Sequence, residues 1–128
     1  MKPEIEAGNF NTEEATRGWR VGHFVERPNF KTDQTEFQWA SDLQAGTAKA
    51  TTAYNKQSST LVVLIGGEMQ VDFPHTKAES VTLSNPGDYV FFAPGVCHTW
   101  KANQKTTVIS VRWPSIPGDQ VPCDHADY

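Results

Sequence analysis

Short alternating runs of apolar and polar residues, separated by turn formers, occupy most of the chain from Arg20 onward. In "EMQVDF", Met69, Val71 and Phe73 face one way, and Glu68, Gln70 and Asp72 the other. "TTVISVRW" places Ile109, Val111 and Trp113 on one face. A period of two with β-branched and aromatic residues is the signature of strands. The other runs of this kind are "RVGHFVE", "EFQWASD", "GTAKATTAY", "TLVVLI", "ESVTL", "DYVFFA" and "CHTWKA". No segment keeps an apolar period of 3.6 over three turns, so no substantial helix is predicted. Gly66-Gly67 interrupts a strand pattern, where glycine marks a bend or bulge. "SNPGD", Ser84 to Asp88, reads as a turn. The fold class is therefore all-β, a sandwich or barrel; which face lines an interior stays open, because a barrel with a pocket has two buried sides.

At 128 residues the chain makes one domain. Residues 1–19 read as an arm with one helical turn near Glu13–Arg17, residues 20–115 as the barrel, and residues 116–128 as an irregular tail. That tail, with the end of the last strand, holds three prolines after Trp113. The formal net charge is −4, with both signs scattered. Phosphate backbones and anionic membranes need concentrated positive charge, so neither nucleic acid nor membrane is an expected partner. The longest apolar run, "LVVLI", is too short to span a bilayer, and the polar N-terminus lacks a signal-peptide core. Only Cys97 and Cys123 are present, leaving at most one disulfide. A cytoplasmic location is the resulting expectation.

The segment that carries chemistry is "GDYVFFAPGVCHTW", Gly87 to Trp100. Gly87 closes a turn, Pro94-Gly95 ends a strand and reverses the backbone, and His98 follows at a defined place. This segment resembles the second motif of single-domain cupins: Gly, five residues, Pro-x-Gly, two residues, His, then Asn after three more. Gly87, Gly95 and His98 match. Ala93 stands at the first proline position, Pro94 between, and Asn103 comes one residue late. The resemblance runs over roughly residues 20 to 113, and "VRWPS" is similar to the strand end of a subgroup of small bacterial cupins. It implies a double-stranded β-helix, the jelly-roll barrel, with His98 facing an internal pocket.

The cupin first motif would supply the remaining metal ligands as His-x-His and Glu. Anchored on Gly46 and Gly66, those positions hold Thr52, Tyr54 and Ser59; anchored on Gly67, they hold Tyr54, Lys56 and Thr60. "TTAYNKQSSTLVVLIGG" contains no His, Asp or Glu, whereas a divalent metal needs three or four converging donors. His23, His75 and His125 form no ligand pair in sequence. A site recruiting Cys97 meets the difficulty that adjacent strand residues point to opposite faces. Neither a metal nor another cofactor is expected.

In either register Tyr54 shares a face with Lys56 opposite His98, and Trp100 shares the His98 face as a pocket wall. His98, Tyr54, Lys56 and Trp100 are thus the candidate ligand pocket, suited to an anionic or hydroxylated small molecule. Gly87, Pro94 and Gly95 are structural. The leading expectation is a metal-free, non-redox, small-molecule-binding barrel that forms a homodimer through exposed strand edges. The alternative is an enzyme: an acid–base isomerase or epimerase with His98 paired to Asp42 or Asp72, or with Lys56 as base, or a dioxygenase with non-standard ligands. A third reading is a partner-binding barrel with an apolar outer patch and no cavity.

Overall fold

A computed structural model describes residues 2–74, 76–77 and 79–123. A single turn of 3₁₀ helix at Thr16–Gly18 leads into ten strands. These are β1 (Trp19–Val21), β2 (Glu36–Leu43), β3 (Ala53–Asn55), β4 (Ser59–Gly66), β5 (Met69–Phe73), β6 (Glu79–Leu83), β7 (Tyr89–Phe92), β8 (Thr99–Ala102), β9 (Thr106–Trp113) and β10 (Gln120–Pro122). All strand pairings are antiparallel.

One wall has the order β1-β2-β9-β4-β7. The facing wall is built from β6-β5-β8 and β10-β3, and the bridges Ala48↔Lys101 and Ala53↔His98 join the two pieces edge to edge. Its order is then β6-β5-β8-β3-β10, so ten strands form two five-strand layers. This is the jelly-roll expected from the motif. "GTAKATTAY" contributes only its last two residues to a strand. "QVP", expected to be irregular, is β10, and it pairs with β3. Three residues ending in a proline carry too little alternation to announce a strand; only the neighbouring strand β3, distant in sequence, makes one.

The register of the first wall sorts its inward residues into graded rows. At one end Ala40, Val108 and Leu64 stand in line; next come Gln38, Ser110 and Val62; then Glu36, Arg112 and Thr60. The apolar end closes with Met69, Val71, Phe73, Leu83, Val90 and Phe92, all under a tenth exposed. Burying such side chains drives the fold at roughly 1.5–3 kcal/mol each. The opposite end stays hollow and charged.

The outward rows are Phe37–Val111–Leu61–Phe91 and Trp39–Ile109–Val63–Tyr89. So the more apolar face of β9 points out, and the face carrying Ser110 and Arg112 points in. The N-terminal arm covers the β2 end of this outer face: the Phe10 ring lies 6.0 Å from Phe37, and Asn11 accepts a hydrogen bond from Trp39 Nε1 at 2.7 Å. Arg27 pairs with Glu6 and with Glu13, holding the arm down.

Gly67, just past the end of β4, has a φ of +90°, and a Cβ there would collide with the Lys105 carbonyl. No other residue type fits both demands. Cys97 and Cys123 are joined in a disulfide that ties the tail to the residue before His98. Among the described residues, no helix is long and apolar enough to cross a membrane.

Candidate functional site

The hollow end of the barrel is a cavity of about 630 Å³. Its floor is Val62, Met69, Val71, Phe92, Trp100 and Val108. Its upper wall carries Arg17, Arg20, Lys49 and Arg112, with Gln38, Thr60, Ser110 and His98 between. Three of the four arginines in the chain line this one cavity, and among the described residues no Asp or Glu lines it.

Arg112 is fixed from two sides. Its Nη1 donates to Glu36 Oε1 at 2.9 Å, and its guanidinium carbon lies 4.8 Å from the centre of the Trp19 ring. Glu36 is 5% exposed and also accepts from the Ser115 hydroxyl at 2.8 Å. That hydroxyl has spent its proton, so the 2.6 Å contact with His23 Nδ1 is a donation from the ring. His23 thus belongs to the outer support of Arg112. The Arg112 Nε and the Thr60 hydroxyl, neighbours in one inward row, are buried without hydrogen-bond partners among the described residues. Buried donors of this kind carry a desolvation cost that an acceptor would relieve.

Lys49 is half-buried. Its ammonium donates to the neutral Gln120 Oε1 at 2.8 Å, with no carboxylate within ion-pair distance among the described residues. Burial, reinforced by repulsion from Arg112 and Arg17, pulls its pKa down to about 8. His98 is 4% exposed and stacks on Phe92 with ring centres 4.3 Å apart. Burial pulls its pKa down to about 4, more than its bond to Val96 raises it; the Lys49 and Arg112 charges add to the depression. The ring is therefore neutral at pH 7. Val96 O, 3.1 Å from Nδ1, can only accept, which assigns the proton to Nδ1 and leaves Nε2 as an acceptor.

His98 and Trp100 line the cavity; Tyr54 and Lys56 do not. Ala53 bridges to His98, and Ala53 and Asn55 are buried. Tyr54 between them faces the other way and pairs with Val121, and Lys56 is exposed beyond the strand end. Both motif registers placed even-numbered residues inside, whereas the bridge sets the odd-numbered ones there. A slip of one residue exchanges the faces of a strand. Gly87 and Gly95 take left-handed φ values of +93° and +86° at the turns flanking β7, and Gly95 N–H donates to Asn55 O at 2.8 Å. Asp42 is exposed and lies 3.8 Å from Lys105, and Asp72 accepts from Gln70, so neither is engaged with His98. The disulfide leaves no thiolate at Cys97. His75 and His125 lie outside the described residues.

A metal does not fit these donors. Among the described residues no three of His, Cys, Asp and Glu converge. Around His98 the wall presents a hydroxyl and two cations, which would repel a divalent ion.

No family model matches the sequence, and no curated protein does. Solved structures do. A protein with a double-stranded β-helix domain from Klebsiella pneumoniae superposes with a TM-score of 0.68 at 14% identity, over 94% of this chain and 99% of its own. A cupin-2 domain protein from Shewanella frigidimarina gives 0.55 at 16%, over 82% and 87%. This chain has the cupin fold. A cupin-fold match to the DMSP lyase DddQ from Ruegeria pomeroyi gives 0.55 at 18% identity, over 73% of this chain and 45% of that one. A fold shared this widely names no function by itself and leaves that to the side chains.

Proposed function

We propose that this cupin barrel binds a small organic anion without a metal, its acidic group toward Arg112 and Lys49 and its apolar part toward Phe92 and Trp100. The carrying observation is that Arg17, Lys49 and Arg112 border one cavity that, among the described residues, no carboxylate lines; Arg20 borders it too, with its guanidinium held by the Phe10 and Glu13 carbonyls. Lys49 is penalised first by burial and then by repulsion from Arg112 and Arg17, the two causes of its lowered pKa, and an anion beside it offsets both. The Thr60 hydroxyl and His98 Nε2 add a donor and an acceptor for a ligand hydroxyl.

The test is thermal unfolding at pH 7 with aromatic and aliphatic carboxylates, sugar acids and phosphate, each beside its uncharged amide or alcohol. A fitting anion at about a hundred times its Kd is expected to stabilise by about 2.7 kcal/mol. Equal stabilisation by the neutral analogues would overturn the reading.

The homodimer is part of the same proposal. Tyr89, Phe91, Ile65 and Trp113 are 40–66% exposed on the outer face, on β7, β4 and β9. No charged residue stands in the two outward rows, and β7 is a free sheet edge. A second copy turned by a two-fold axis offers the same uncharged face, whereas a charged partner would find no ion pair there. Light scattering is expected to give twice the chain mass, and Phe91→Glu to give a folded monomer. A monomeric parent protein would remove this part.

A further inference from the structure

Lys49 has a feature that anion binding alone does not use. Its Nζ is held by one hydrogen bond to an amide oxygen rather than by a carboxylate. The charged groups around it in the cavity wall are Arg17 beside the 3₁₀ turn, Arg20 on β1 and Arg112 on β9, with neutral His98 before β8 and uncharged Gln120 on β10. The nearby carboxylates are committed elsewhere. Glu36 binds Arg112 and Ser115, and Asp119 accepts from the Ser58 and Gln57 backbone N–H groups. An amine in this setting sheds its proton readily and then keeps a lone pair free, because its remaining bond is one it donates.

Resting on the anion reading, we propose that Lys49 captures 2-oxo acids as an imine, the acid's carboxylate lying against the arginines and its carbonyl carbon at Nζ. Anchor and nucleophile share one wall, and a 2-oxo acid carries its carbonyl next to its carboxylate, so one molecule can meet both. The Nζ lone pair adds to the carbonyl carbon while the carbonyl oxygen takes up a proton, giving a carbinolamine. That oxygen then leaves as water, the second amine proton is lost, and a C=N bond remains. Both amine protons and the ketone oxygen are accounted for by the one water, and no oxidant or reductant enters. Lys49's pKa of about 8 gives an appreciable neutral fraction near pH 7, which exposed lysines lack.

The experiment is sodium borohydride trapping of the intact protein with pyruvate or 2-oxoglutarate, followed by peptide mapping. Acetone serves as the uncharged ketone, and oxalate, which forms no imine, reports anion binding through thermal stabilisation. The expected result is one reduced adduct located on Lys49, absent with acetone, absent in Lys49→Arg and retained in Lys56→Arg. Trapping should increase as pH rises through about 8. Oxalate should stabilise the parent protein and Lys56→Arg alike, because Lys56 lies outside the cavity. Oxalate binding with no Lys49 adduct would overturn the imine and leave the anion site standing. Neither effect would overturn both, and adducts spread evenly over the surface lysines would also overturn the imine.

Discussion

Arg112→Met is expected to destabilise the protein by about 3–5 kcal/mol, because it strands a buried carboxylate. Glu36 is almost fully enclosed and takes its counter-charge from Arg112; without it, the described residues leave the Ser115 hydroxyl as its hydrogen-bond donor, with His23 Nδ1 3.6 Å away. Glu36→Gln with Arg112→Met removes both charges and should recover most of the loss, since an uncharged pair needs no compensation. Denaturant unfolding of the parent, the two single variants and the double variant gives the coupling directly. A loss under about 1 kcal/mol for Arg112→Met would mean that the pair is solvated and contributes little.

Acid is expected to weaken the fold through His98. Its folded pKa of about 4 lies below the ordinary 6.5, so between these values the unfolded chain binds more protons than the folded one. Stability therefore rises with pH across this window: the His98 contribution is fully present above 6.5 and is lost as pH falls toward 4. The difference of about 2.5 units corresponds to about 3 kcal/mol. Stability against pH should lose this slope in His98→Asn, whose side chain does not titrate. An unchanged slope in the variant would assign the acid sensitivity to other groups.

Much of the fold was legible because alternation is a local property. Met69, Val71 and Phe73 announced their shared face, and Gly87, Pro94 and Gly95 announced turns whose φ values only the backbone demands. The inside of the pocket was less legible, for a physical reason. On β9 the conventional rule assigns Ile109, Val111 and Trp113 to the core, yet a hollow barrel lines its cavity with Ser110 and Arg112 and turns the greasier face outward. The sequence signal was present in the alternation itself, which already separated Arg112 from that face. For β3 the error was a register of one residue, set by a bridge to His98 that no local pattern contains. Lys49 lay in a run too weak in alternation to be assigned a side at all.

The Cys97–Cys123 bridge encloses a covalent ring with a sequence separation of 26, and that ring carries His98, Trp100, Val108, Ser110, Arg112 and Gln120. A closed loop of this length removes about 3–4 kcal/mol of disorder from the denatured chain. In the oxidised denatured chain, these cavity residues therefore remain on one short loop. Refolding need not search for them separately: β8, β9 and β10 start as members of the same ring, and β1, β2, β4, β5, β7 and the segment bearing Lys49 arrive from outside it.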